Sequence, residues 1–336
     1  MVEVPSKGYQ PIENYGVIGD LYTVALVGMD GSIDFFAFPH FDSPTVFAAL
    51  LDHAKGGRFQ IAPQLADARQ KQLYLPDSNI LLTRFLAPEG VAEVSDFMPV
   101  EEVEQAHNLV RRVKTVRGEL CFRMLCAPRF DYGRASHRVE QQGGTVLFSS
   151  EGNDRTGLRL HSSVPLRIHN GDAIAEFTLR PDEHAEFVLE WALPGDSSPA
   201  TAPDYVSRCF KDTVNFWRRW IGRSTYQGRW REMVNRAALT LKLLVSQPYG
   251  SLVAAPTFGL PEHIGGERNW DYRYTWIRDA SFTLYALIRL GYTGEAGAFM
   301  RWIEACCRTL EPDGSLQVLY GIDGRRIHTE ECLTNL

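Results

Sequence analysis

Pro194-Gly-Asp-Ser-Ser-Pro-Ala-Thr-Ala-Pro203 separates two different sequence patterns. Its three prolines fix φ and withhold backbone donors, so neither a sheet nor a helix is expected to run through it. On its N-terminal side, from Tyr15 onward, short runs with Val, Phe or Thr at alternate positions are separated by turn pairs: Gly31-Ser, Pro76-Asp, Glu89-Gly, Asn170-Gly and Pro181-Asp. Strands are expected over residues 57–62, 80–86, 109–116, 120–126, 145–149, 173–179 and 185–192. That many short strands make antiparallel sheet, enough for a large β-sandwich. One interruption is expected at residues 44–52, where Val46, Phe47, Leu50 and Leu51 recur at helical spacing.

On the C-terminal side the pattern becomes helical. Residues 205–221 carry Val206, Cys209, Phe210, Val214, Trp217 and Ile221 on one stripe, which suits a helix bracing two domains. A second helix is expected over 230–245. Residues 280–290 are apolar almost all round, with Phe282, Leu284, Tyr285, Leu287 and Ile288, and stop at Gly291, as a helix buried on every side would. Residues 295–310 then return as its partner. The fold class is α+β multidomain: a sandwich over 1–194, a linker and bracing helix over 195–228, and layered helical hairpins over 229–336.

A chain of 336 residues favours about two domains. Hydrophobic residues make up 44% and charged residues 23%, so there is ample core material. A net charge of -6 gives no reason to bind nucleic acid or an acidic membrane. Met1-Val-Glu-Val-Pro-Ser-Lys7 lacks the form of a secretory signal and no apolar stretch is long enough to span a bilayer, so the cytoplasm is the expected location. Cys121, Cys126, Cys209, Cys306, Cys307 and Cys332 show no C-x-x-C spacing, and His40, His263 and His328 have no metal-like partners; neither a metal nor a cofactor is expected. Gly259-Leu-Pro-Glu-His-Ile-Gly-Gly266 lacks the Gly-Lys-Ser/Thr of a phosphate loop.

Chemistry concentrates in Asn269-Trp-Asp-Tyr-Arg-Tyr-Thr-Trp-Ile-Arg-Asp279, which packs four aromatic rings among two arginines and two aspartates. Aromatic faces cover the C–H surface of a sugar, while carboxylates and guanidinium groups grip paired hydroxyls. The same residues admit a plainer reading. Asp279 suits the N-cap of a helix starting at Ala280, Arg278 can pair with a neighbouring acid, and the rings can be core.

Six segments carry a resemblance: this cluster; Tyr15-Gly-Val-Ile-Gly-Asp-Leu21 with Gly31-Ser-Ile-Asp-Phe-Phe-Ala-Phe-Pro-His-Phe-Asp-Ser-Pro44; and, more weakly, Asp96-Phe-Met-Pro99, Pro128-Arg-Phe-Asp-Tyr-Gly133 and Tyr320-Gly-Ile-Asp-Gly-Arg325. They resemble the glucoamylase-like glycoside hydrolases of family fifteen, which include trehalases and glucodextranases. The resemblance implies an N-terminal antiparallel β-supersandwich followed by the beginning of an (α/α) toroid. It implies that Arg278 and Asp279 bind hydroxyls of a terminal sugar, with Asp271, Arg273 and Trp276 shaping or supporting the pocket. The implied reaction is inverting hydrolysis of an α-glucoside or oligosaccharide, in which one carboxyl protonates the leaving oxygen and another activates water. By the same resemblance that acid and base are expected beyond Leu336, leaving residues 1–336 inactive alone. The alternative is a non-catalytic carbohydrate-binding or regulatory remnant of such an enzyme. Thr329, Glu330 and Glu331 suit the capped first turn of a helix. A partial toroid would expose residues 280–290, so self-association or a second polypeptide closing the ring is expected.

Overall fold

The computed structural model describes residues 9–65, 67–100, 107–153, 156–192, 195–259, 269–310, 313–327 and 329–334. The N-terminal heptapeptide, the glycine-bearing segment from 260 onward including His263, and His328 lie outside them.

The alternating strand patterns build two antiparallel sheets. The first runs β1 (Tyr15–Gly19), β2 (Val24–Gly28), β3 (Ser32–Ala37), β5 (Arg58–Pro63), β10 (Leu120–Ala127), β15 (Asp172–Leu179) and β14 (Arg167–His169), with β4 (Thr45–Phe47) paired to β3. The second runs β11 (His137–Gln142), β12 (Thr145–Ser150), β13 (Gly157–Ser162), β16 (His184–Trp191), β9 (Asn108–Arg117), β8 (Val91–Phe97), β7 (Leu81–Leu86) and β6 (Arg69–Tyr74). Their facing sides, among them Phe36, Phe59, Ile61, Val94, Leu109, Val113, Phe122 and Phe187, close over one apolar core. Within that core Arg111 and Asp96 form an ion pair with both side chains fully buried. Arg111 donates to Asp96 through Nε and Nη2, and to the Phe59 and Gly31 carbonyls through Nη1 and Nη2.

The expected helix at 44–52 is absent. Val46 and Phe47 belong to β4, where Phe36 pairs with Phe47, and the chain then turns back at Ala48 to Asp52. The helical spacing was that of a strand facing the core, at Val46 and Phe47, followed by a turn that leaves Leu50 and Leu51 half-buried.

Helix α2 (Tyr205–Ile221) has the range and the stripe that the sequence predicts. Its first half packs Tyr205, Val206, Cys209 and Val214 on Ile80, Leu82, Phe97, Val110 and Val188, the outer face of the second sheet. Its last turns place Trp217, Trp220 and Ile221 in a separate core with α3 (Arg231–Leu243), α4 (Ile277–Arg289) and α5 (Thr293–Cys306). The Trp220 ring stacks on Tyr292 at 4.0 Å and its indole donates to Glu295 at 2.7 Å. One amphipathic helix thus serves two cores.

Helices α4 and α5 form a hairpin closed at Gly291, whose φ of +93° is the left-handed stop that glycine tolerates best. Antiparallel sandwich followed by helical hairpins is the beginning of an (α/α) toroid. Two expectations about α4 are corrected. It starts at Ile277, so Asp279 is its third residue and not its cap, and Trp276 precedes it without a side-chain cap bond. It is also not buried on every side: Ala280 and Leu287 are buried, but Phe282, Tyr285 and Ile288 are 72%, 64% and 48% exposed. Residues 329–333 form no helix, and the Glu331 carboxylate instead meets Arg134 of the sandwich.

Candidate functional site

Residues 269–279 lead into α4 along a backbone fixed from two sides. Ala254, Ala255 and Gly259 donate to the carbonyls of Tyr274, Tyr272 and Trp270. Opposite, β17 (Thr275–Trp276) pairs with β18 (Leu319–Tyr320), whose Tyr320 opens one of the segments that carried the resemblance.

The five residues singled out divide into two groups. Arg278 and Asp279 lie side by side in the first turn of α4 and bond each other through three contacts of 3.1 to 3.3 Å. With side chains 72% and 32% exposed, they are open to solvent. Such a solvated pair contributes little to stability, and its hydrogen bonds exchange readily for those of a ligand. A carboxylate in a helix's first turn also sits favourably against the positive end of the helix dipole.

Asp271, Arg273 and Trp276 form the second group. Arg273 is 1% exposed, and all five of its donors are engaged. Asp271 takes Nε and Nη2 at 3.0 and 2.7 Å; the Ser43 and Phe41 carbonyls take Nη1 at 2.7 and 3.4 Å; Tyr132 takes Nη2 at 2.7 Å. Its guanidinium lies 4.6 Å from the Phe258 ring centroid, a cation–π contact. Burial works against the charge, but the Asp271 carboxylate and Tyr132 outweigh it and hold Arg273 protonated. No donor is left for a ligand. Arg273 is a strut, and Asp271, committed to it, passes the constraint on: the Asp271 carbonyl accepts from the Trp276 indole at 3.0 Å. Trp276 stands among Trp270 and Tyr272, with ring centroids 6.3 and 5.3 Å away. Burial raises the phenols of Tyr132 and Tyr274, keeping both neutral, and the Tyr132 oxygen accepts from Arg273.

Sequence reasoning missed Tyr132 and the Phe41 and Ser43 carbonyls as parts of this assembly. Both lie in segments that carried the resemblance, but separations of 141 and 230 residues from Arg273 hide the pairing. A second tie crosses nearby, from Arg325 to Asp42 at 2.6 Å.

Elsewhere, a cavity of about 280 Å³ opens between β12, β13, β16 and residues 200–206. Its polar groups already serve the fold: His161 bonds Glu190, Ser198 and Thr145. Among the described residues no group of His, Cys, Asp and Glu is placed to hold a metal, and no helix is long and apolar enough to cross a membrane.

An aromatic and charged wall thus stands at the head of the α4–α5 hairpin, braced by the sandwich. The trehalase-like N-terminal family matches residues 5–204 and glycosyl hydrolases family 15 matches residues 228–334. Similar proteins include a trehalase of Thermoplasma volcanium, 33% identical over 96% of this chain and 51% of its own length. A trehalase of Mycolicibacterium smegmatis is 34% identical over 98% of this chain and 52% of its own. A bacterial glucoamylase solved with acarbose shares the fold, with a TM-score of 0.69 at 13% identity over 94% of this chain and 52% of that one. The chain belongs to the family 15 glycosyl hydrolases that carry a trehalase-like N-terminal domain. It spans about half the length of the curated relatives it matches.

Proposed function

We propose that residues 269–279 form one wall of a site for the terminal glucose of an α-glucoside, in a protein of trehalase or glucoamylase type that acts by inversion. The observation that carries this is the exposed Arg278–Asp279 pair, set beside Trp276 on a wall whose other members are locked from behind. Paired hydroxyls can replace each partner's contacts while the indole covers the sugar's C–H face. Trehalose is the substrate favoured by the relatives.

A second reading, binding without turnover by residues 1–336, is favoured by how the acids of the helical part are engaged. Asp271 is held by Arg273 and Asp279 by Arg278. Burial pushes the Glu295 carboxyl up, but Lys242 and the Trp220 indole outweigh it and leave it below the usual carboxylate range. A general acid needs the opposite displacement. Helices that complete the toroid over Phe282, Tyr285 and Ile288 would come from further chain, from a second polypeptide or from self-association. A cytoplasmic location fits the six cysteines, all thiols.

Calorimetry with glucose, maltose, trehalose and a glucose-mimicking iminosugar tests the reading. The wild-type chain should bind, and Asp279→Ala should weaken binding on the order of 10- to 100-fold, as loss of hydrogen bonds to a charged group does. Unchanged affinity in a folded Asp279→Ala protein would sink it. Release of glucose from trehalose separates the two readings.

A further inference from the structure

We propose that Tyr132, in the sandwich, is a positioning residue for the sugar-binding wall, acting through Arg273 and Asp271 on the Trp276 indole. The proposal rests on the sugar-site reading for its ligand, but the mechanical chain is visible without one. Tyr132 OH accepts from Arg273 at 2.7 Å, Arg273 grips Asp271 through two nitrogens, and the Asp271 carbonyl accepts from Trp276 Nε1 at 3.0 Å. Arg273, the middle joint, has all five donors engaged, so a displacement at one end is passed along.

The local backbone supports a dedicated role. In the single turn α1 (Phe130–Gly133), Asp131 and Tyr132 both adopt left-handed conformations, with φ of 50° and 56°. That region is costly for residues with a Cβ and needs outside support. Arg134 supplies it: its Nη2 meets the Asp131 carboxylate at 2.6 Å, its Nε meets the Asp131 carbonyl at 3.2 Å, and its guanidinium lies 5.3 Å from the Tyr132 ring centroid. Its remaining group holds Glu331. A tyrosine needed only for packing could sit on relaxed backbone. This turn instead brings a buried hydroxyl to a guanidinium that is buried with it.

The test uses the 336-residue chain with Tyr132→Phe, which keeps the ring and removes only the hydroxyl. Asn79→Ala is the control, since it cuts another tie between sandwich and helices, Asn79 Nδ2 to the Leu239 carbonyl at 3.1 Å, which shares no hydrogen-bond partner with Tyr132, Arg273, Asp271 or Trp276. Two quantities are read: the Trp276 indole N–H resonance, assigned with Trp276→Phe, and iminosugar affinity. Tyr132→Phe should move the resonance and weaken binding about tenfold, the worth of one hydrogen bond to a charged group. Arg134→Gln, on the solvent side of the turn, should do the same to a smaller degree if Tyr132→Phe folds poorly. Asn79→Ala should lower thermal stability and change neither. An unmoved resonance in both Tyr132→Phe and Arg134→Gln, or binding losses no larger than in Asn79→Ala, would overturn the proposal. If the wild-type chain binds no iminosugar, the sugar-site reading falls, and the resonance alone decides whether Tyr132 positions Trp276.

Discussion

Arg111 and Arg273 are among the largest side chains the fold buries completely, and they solve the same problem for different purposes. A buried guanidinium must find a carboxylate and acceptors for its other donors. Arg111 finds them inside the sandwich, on Asp96 and two carbonyls of the opposite sheet, which ties the two sheets together. Arg273 finds them across the join, on residues of both halves. Arg111→Met should therefore lower stability by about 3–5 kcal/mol, because Asp96 is left charged and unpaired in a dry core. The measurement is the urea midpoint. Arg111→Met with Asp96→Leu should recover much of the loss, since the orphaned charge is gone; no recovery would mean that the carbonyl contacts, and not the ion pair, dominate.

At the scale of elements, α4 carries the clearest liability. Phe282, Tyr285 and Ile288 recur every third residue along one side of the helix and face solvent. Exposed apolar patches of this kind mark contact surfaces. The wild-type 336-residue chain should bind a hydrophobic dye and self-associate, and Phe282→Ser with Tyr285→Ser should reduce both; light scattering and dye fluorescence check this. The same helix marks how far the sequence was legible. Strand-then-helix order, the extent of α2, the stop at Gly291 and the concentration of chemistry in 269–279 follow from local spacing and composition, which act over a few residues. What local spacing could not give was the number of neighbours around α4, because an all-round apolar helix looks the same whether its partners are present or absent. Nor could it give Arg273 as a strut, since burial is set by chain hundreds of residues away. The misread 44–52 segment failed for a related reason: four apolar residues suit a helix or a strand and turn equally, and pairing with β3 decides.

At the scale of the molecule, α2 couples the halves, and stability is expected to depend on pH through His40 of the sandwich. His40 sits with its ring 5.8 Å from His107 and 6.3 Å from Tyr22, and its backbone N–H is bonded to Ser43. Burial, then the His107 ring, lowers its pKa from 6.5, with Arg325 adding slightly and Asp42 and Asp20 opposing. The folded chain therefore resists a proton that the unfolded chain accepts. Stability from this group is full above about 6.5 and is lost as pH falls toward the lower folded value. Melting temperature should decline from about pH 7 to about pH 5, and His40→Gln should flatten that limb. A further decline below 4.5 should persist in the variant. There Glu93, held down by Lys114 and Arg84 against the effect of burial, and Glu295 take up protons.

The link from Arg273 to Ser43 has a consequence for biosynthesis. The two residues are 230 positions apart. At a translation rate of about 5–20 residues per second, roughly 10–45 s pass between the making of one and of the other. Throughout that interval the Ser43 and Phe41 carbonyls face a socket whose occupant has yet to leave the ribosome. The wall of residues 269–279 can therefore take its final form only after the sandwich segment that braces it has been waiting for most of that interval.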